Sequence, residues 1–361
     1  MGFLFGFVVA GLGITWFWNI FGHAAVPLWA IFAAWMGLFF AGRALLVQAL
    51  PRWWAFAAVV LWWTAVEFFR AECYYLRCTF LCLGHALAAE SCPLKSAAAV
   101  LGAYGLGMLV FAVNAAAEQT VLCRRPTNRG AVGALSLALA ALLAATVWGR
   151  LAVRGPASSD AIRVALVQSE SPFPAEYARL SRCAAEFDPR FVFWPEISLL
   201  GDVKTNAFFR NPVAELAREM NAFIGVGAKL NHATDLDNFW NAYVLFDPAG
   251  EVAGEYHKMQ PVQFMKDGAP GSEYGLYRTP LGTLGVAICY DADFSWISRE
   301  TVRRGAEALV VPVYDGEHWG LRMRWQHVQA HVLRAVENGR YVLRPASSGP
   351  SMIIAPDGSI T

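Results

Sequence analysis

Residues 240–258 read WNAYVLFDPAGEVAGEYHK. Two segments, 240–246 and 251–258, flank Asp247-Pro248-Ala249-Gly250, and the Pro and Gly of that tetrapeptide supply turn geometry, so the stretch predicts a β-hairpin. Working outward, the same grammar repeats. Short apolar strands are predicted before it at IRVALVQ (162–168), FVFW (191–194) and FIGVGA (223–228). After it come LGVAIC (284–289), ALVVPV (308–313), YVLRPA (341–346) and SMIIA (351–355). Amphipathic helices are predicted over 174–187, 212–221, 294–304 and 322–338. Strands interleaved with helices in this way imply a layered α/β domain over 161–361.

Upstream the pattern changes. The 361-residue chain is 56% hydrophobic and 16% charged with a formal net charge of +1, too apolar for an ordinary soluble globule. The first 150 residues hold nine Lys or Arg, four Glu, no Asp and nine of the fourteen tryptophans, whereas the remaining 211 carry twenty basic and twenty-four acidic side chains. Uncharged runs cover 2–22, 23–42, 96–117 and 130–149, each near the roughly 20 residues that cross a bilayer as helix. A fifth span runs from Trp53 to about Phe69, with the tryptophan pairs 53–54 and 62–63 suited to the membrane interfaces. Residues 1–150 are therefore expected to be a polytopic membrane domain of about five spans. Arg154-Gly155-Pro156-Ala157-Ser158-Ser159 has the composition of a linker, taken as 151–160. Residue 2 opens directly into apolar sequence without a basic n-region, which does not fit a signal peptide.

Loop charges orient the spans. Arg52, Arg124, Arg125 and Arg129 share one side, which the positive-inside rule makes cytoplasmic, so the α/β domain faces outward. Cys73, Cys78, Cys82 and Cys92 crowd one outward loop, either as disulfides or as free thiols in a partly buried segment. Their spacing with His85 matches no usual zinc pattern, and no metal or other cofactor is expected. Neither half has a dense basic stripe with interleaved aromatics, which argues against nucleic acid as a partner.

Three short motifs end predicted strands, where an α/β sheet presents its chemistry: Trp194-Pro195-Glu196, Tyr256-His257-Lys258 and Ile288-Cys289-Tyr290-Asp291. A cation near a strand-end Cys favours its thiolate, and a carboxylate within reach can take the thiol proton and return it to a leaving group. Taken singly, the Cys reads as a small buried hydrophobe, the Glu as a turn residue and the Lys as a solvated charge.

In order and spacing, Glu196, Lys258 and Cys289 resemble the Glu, Lys, Cys triad of the carbon-nitrogen hydrolase (nitrilase) superfamily. The resemblance extends through IRVALVQ, NAYVLFDPAGEVAGEYHK, GVAICYDADF (285–294) and RAVENGRYVLRPASSGPSMIIAPDG (334–358). It implies a nitrilase-like four-layer α-β-β-α sandwich. With a polytopic membrane domain in front, and GFLFGFVVAGLGITWFW (2–18) and FLCLGHALA (80–88) within it, the chain is similar to the apolipoprotein N-acyltransferases. That resemblance implies a bacterial inner-membrane enzyme, its hydrolase-like domain on the periplasmic face. Such an enzyme takes an acyl group from a phospholipid onto Cys289 and passes it to the N-terminal amine of a diacylglyceryl-cysteine lipoprotein. Trp194, Phe264, Met265, Tyr290, Asp291 and Trp319 are the expected substrate-contacting residues. A membrane-tethered amidase or nitrilase-like hydrolase and an inactive membrane scaffold are the competing readings.

The chain departs from that family's pattern at four places. Tyr290-Asp291 stands where Tyr-Glu is usual. Lys266 occupies the position of a further Glu, with Asp267 next to it as a possible second acid. Tyr314-Asp315-Gly316-Glu317-His318-Trp319 replaces Asn-Asp before an aromatic. The family also typically has two more spans before residue 1 and one after the hydrolase domain, so the sequence is expected to be a fragment or a truncated product.

Overall fold

The structure is a computed structural model that describes residues 1–122, 129–153, 161–232, 234–235 and 237–361. The expected loop charges Arg124 and Arg125 and the linker 154–159 lie outside the described residues. The chain forms two compact units, Met1–Arg154 with His318–Glu337, and Gly155–Glu317 with Asn338–Thr361.

The first unit is helical: α1 (Gly2–Gly13), α2 (Phe17–Phe21), α3 (Ala25–Ala49), α4 (Arg52–Phe68), α5 (Ala98–Leu122) and α6 (Arg129–Ala152). Among the described residues four segments, not five, are long and apolar enough to cross a membrane: Phe17–Ala49, Arg52–Cys73, Pro93–Gln119 and Val132–Ala152. The expected first span is instead α1, whose 12 residues reach about 18 Å against a hydrocarbon core of about 30 Å. The expected second span does not stop at Gly42, because Arg43 stays helical by pairing with Glu118 at 3.0 Å and the helix runs on to Leu50-Pro51. Gly6 lets α1 lie directly on α3, since a Cβ there would sit 2.5 Å from the Met36 Cβ.

The loop after α4 folds around buried polar groups. Arg70 Nη1 donates to the carbonyls of Cys78 (2.5 Å) and Phe80 (3.2 Å), and Leu83 N donates to Glu67 Oε1 at 2.8 Å. Cys73, Cys78, Cys82 and Cys92 are free thiols. Burial drives the neighbouring His85 imidazole down to about 3, so it is neutral. Gly102, at φ 67°, breaks α5, and the restarted helix is capped by Glu337, whose Oε1 accepts from Ala103 N at 2.5 Å.

In the second unit two five-stranded mixed sheets face each other. The first holds β1 (Val164–Leu166), β2 (Phe191–Phe193), β3 (Phe223–Asn231), β4 (Phe239–Phe246) and β5 (Val252–His257) in that spatial order. The second holds β6 (Gly275–Thr279), β7 (Gly282–Val286), β8 (Ala308–Val310), β9 (Tyr341–Arg344) and β10 (Met352–Ile354) in the order 10-9-8-7-6. Strand β6 was not foreseen; GLYRT is short and carries a charge, yet it pairs with all of β7. The outer face of the first sheet is covered by α7 (Pro174–Arg182) and α8 (Ala207–Met220), which bury Tyr177, Val213 and Leu216 against Val192, Ile224 and Val244. On the inner side Tyr277 Oη donates to the Tyr243 carbonyl at 2.5 Å, and Gly254 leaves room for the Tyr277 ring. Helix α9 (Ser295–Arg303) lies outside the second sheet, where Thr301 packs on Gly285. The layers run α-β-β-α.

Helix α8 starts five residues before the expected Pro212, because the Asn206 side chain accepts from Phe208 N at 3.0 Å and caps it. The last long helix, α10 (Leu321–Asn338), groups with the first unit; there Gln326 accepts from Trp16 Nε1 at 2.7 Å and donates to Gly13 O at 2.9 Å.

Candidate active site

Glu196, Lys258 and Cys289 follow the C-terminal ends of β2, β5 and β7. Past β2 the chain turns at Ile197, whose φ of 49° redirects it immediately after Glu196. Lys258 continues β5, its N–H donating to Asn241 O on β4 at 2.8 Å. Beyond β7 the parallel ladder persists for two more bonds, the last from Cys289 N to Pro312 O at 2.9 Å. Cys289 itself sits at φ 51°, a left-handed conformation that a non-glycine residue holds only when its surroundings impose it. Because that N–H is spent on Pro312, the Cys289 amide is not an oxyanion donor.

The side chains converge on Lys258. Its Nζ lies 2.7 Å from Glu196 Oε1 and 2.7 Å from Asp267 Oδ2, with all three groups buried. Burial alone would lower the ammonium's pKa, but the Glu196 and Asp267 charges prevail and hold it well above the ordinary value, so Lys258 is a cation. Glu196 Oε2 accepts from Tyr314 N at 2.8 Å. Burial pushes the Cys289 thiol well up and Glu196 adds to this, against the opposing pull of Lys258. A resting thiol in that field needs a base to become a nucleophile.

Asp267 enters the site that Lys266 does not: Lys266 is exposed, whereas Asp267 accepts from Val262 N at 2.8 Å and bridges to Lys258. Asn241, absent from the expected set, is wholly buried and donates to Glu196 and Asp267. Its signal was present as one amide on the inward face of an otherwise apolar strand.

Several expected substrate contacts have other duties. Trp194 is buried in the core between the first sheet and α7, its Nε1 donating to Ser181 Oγ at 3.0 Å and its ring stacked on Tyr177 at 4.9 Å, so it walls no pocket. Asp291 is likewise fully buried. Its carboxylate accepts from Tyr256 Oη (2.8 Å), Gln260 N (2.7 Å) and Ile288 N (3.1 Å), which ties the segment after Lys258 to the turn that carries Cys289. Burial raises the Asp291 carboxyl to about 6 in spite of Lys258 and those bonds. Tyr290 packs edge-on against Phe294 at 4.9 Å. Phe264 and Met265 are exposed, at 69% and 37%. Trp319 is buried in the other unit.

With this geometry in hand, comparison with known proteins finds two family matches. Residues 150–361 match the carbon-nitrogen hydrolase model, and residues 1–116 match the apolipoprotein N-acyltransferase N-terminal domain. The chain is 26% identical over 306 residues to the apolipoprotein N-acyltransferase of Geobacter metallireducens, covering 74% of this chain and 58% of that one. It is 29% identical over 211 residues to the deaminated glutathione amidase of Mus musculus, covering 51% of this chain and 65% of the relative. The chain thus spans less than two thirds of either relative. Among solved structures, Nit3 of Saccharomyces cerevisiae, a nitrilase-superfamily member, matches at 23% identity and a TM-score of 0.48 over 55% of this chain and 84% of that one.

Proposed function

Because this chain belongs to the apolipoprotein N-acyltransferase family of the carbon-nitrogen hydrolase superfamily, we propose that it moves a fatty acyl group from a phospholipid, through a Cys289 thioester, to the N-terminal amine of a diacylglyceryl-cysteine lipoprotein. The observation that carries this reading is the buried Lys258–Glu196 pair at 2.7 Å, acting electrostatically on a thiol that is protonated at rest.

In the first half-reaction Glu196 takes the Cys289 proton as sulfur attacks the ester carbonyl carbon. The oxyanion forms toward the Lys258 ammonium, whose field stabilises it in a site shielded from water. Collapse breaks the acyl carbon–oxygen bond, and the departing lysophospholipid oxygen receives the proton from Glu196. In the second half the amine nitrogen attacks the thioester, Glu196 accepts its proton, and the sulfur leaves and is reprotonated. Asp267, paired with the far side of Lys258, keeps the cation in place through both steps.

In this reading the protein is a multi-pass protein of the bacterial inner membrane with its hydrolase domain on the outer face. With the four long apolar helices among the described residues taken as the spans, this reading keeps the hydrolase domain outside and sets residue 1 on the same side. In sequence order Arg52, Arg124, Arg125 and Arg129 then fall in loops on the cytoplasmic side, opposite the domain. Arg70 and Lys95, in the loop that this reading puts on the domain's side, are buried and bonded to backbone carbonyls, so they weigh little in the positive-inside balance.

The test is intact mass after incubation with phospholipid: an acyl adduct that hydroxylamine removes is expected on the wild type and not on Cys289→Ala. Equal adduct on the variant refutes the thioester. The similarity to an amidase favours a second reading, hydrolysis of a C–N bond, which predicts ammonia release from small amides and no lipid adduct.

A further inference from the structure

Lys258 does not hold its two carboxylates alone. Asn241 Nδ2 donates to Glu196 Oε1 at 2.8 Å and to Asp267 Oδ1 at 2.7 Å. Lys258 Nζ meets Glu196 Oε1 and Asp267 Oδ2, each at 2.7 Å. The four side chains close a ring in which one cation and one neutral double donor each bridge both anions. The amide has a single workable orientation, since turning it over would set Oδ1 against two carboxylates. In that orientation Oδ1 is buried and has no hydrogen-bond partner among the described residues. A buried acceptor left unpaired is destabilising, and an apolar residue would avoid the penalty in a strand that continues as Ala242-Tyr243-Val244-Leu245-Phe246. What the amide supplies at that position is its two N–H bonds to the buried carboxylates.

Those bonds bear on the lysine. An ammonium has three hydrogens, and two of them point at the carboxylates. Sharing each anion with Asn241 fixes the spacing of Glu196 and Asp267 without drawing on the third hydrogen. Building on the acyl-transfer reading above, we propose that Asn241 is a positioning residue: its amide locks Glu196 and Asp267 about Lys258, so that Glu196 faces the thiol as a base and one ammonium proton is kept for the substrate carbonyl.

Two assays on the detergent-purified full chain test this. One is single-turnover acylation of Cys289 by phosphatidylethanolamine in mixed micelles, followed by intact mass against pH. The other is alkylation of Cys289 by iodoacetamide against pH, which reads the thiol's surroundings without any acyl transfer. Asn241→Asp removes both donors and sets a third carboxylate around one ammonium. It should move the acid limb of acylation and the midpoint of alkylation up by about one pH unit or more. Adding Asp267→Asn restores the charge count and lets the amide at 267 donate back to 241, so both profiles should return toward wild type. Profiles of Asn241→Asp that superimpose on the wild type, or a second substitution that moves them further up, overturn the proposal. A wild type that is alkylated but never acylated refutes the acyltransferase reading alone, because the alkylation shift and its reversal still decide the role of Asn241. Should Asn241→Asp fail to fold, Asn241→Ser, which keeps one donor, decides: a smaller upward shift with reduced kcat at unchanged KM is expected, and an unshifted profile refutes the role.

Discussion

Replacing Asp291 with Asn should flatten the protein's stability between about pH 4 and pH 7. The wild-type carboxyl titrates near 6 in the folded chain, against 3.8 for an ordinary Asp, because burial disfavours its charge. Between those two values the native state binds more protons than the unfolded state. Stability is therefore fullest below the unfolded value and is lost as pH rises through the folded one. A difference of about two pH units at about 1.4 kcal/mol each makes the ionised side chain a burden of about 3 kcal/mol at neutral pH. The amide does not titrate. With its oxygen toward Tyr256 Oη and Ile288 N, its NH2 meets Gln260 N–H, a mismatch that costs about 1–3 kcal/mol at every pH. The constant cost cancels when the gap between variant and wild type is followed against pH. Guanidinium unfolding in mild detergent, read by tryptophan fluorescence, should show that gap moving by about 3 kcal/mol in the variant's favour from about pH 4 to about pH 7. A gap that stays constant, or moves the other way, refutes the assignment of Asp291 as a buried clamp that titrates near neutrality.

Lys258→Met should abolish acylation of Cys289 by at least about a thousandfold, since it removes the cation at the oxyanion and leaves Glu196 and Asp267 repelling each other; single-turnover intact mass reads it. Arg344→Met strands the buried Asp315 carboxylate and should cost about 3–5 kcal/mol, with Arg344→Met/Asp315→Leu recovering much of the loss in the same denaturation assay. Asn206→Ala removes the α8 cap and should cost about 1 kcal/mol without altering the pH dependence of acylation. In intact spheroplasts, a variant keeping Cys183 and Cys289 as its cysteines should react with a membrane-impermeant maleimide at the exposed Cys183; protection until the membrane is lysed would reverse the proposed orientation.

What the sequence made legible was whatever depends on local chemistry. The hairpin of β4 and β5 followed from the Pro-Ala-Gly turn, and its register brings Lys258 beside Asn241. Among the described residues four rather than five helices are long and apolar enough to span, because the ends of uncharged runs do not mark the ends of helices. Arg43 pairs with Glu118 inside α3, which ends at Ala49, seven residues past the end of the uncharged run at Gly42 and just before Pro51. Trp194 shares the face of Val192 two residues earlier, so the strand's alternation carries it into the core beneath α7 rather than toward the triad, and only Glu196 lies past the break at Pro195 and Ile197. At Asp291 the shorter side chain turns back on its own loop, accepting from Ile288 N three residues earlier, and is buried there. Asp267 took the opposite course. One residue out of register with the family's acid, it reaches Lys258 because the chain between Val262 and Asp267 folds on itself, closed by the carboxylate's bond to Val262 N and carrying Phe264 at φ 65°. A loop that needs a left-handed non-glycine residue to deliver its acid is held by the ion pair it makes. Removing the Lys258 charge should therefore loosen 262–267 as well as the chemistry.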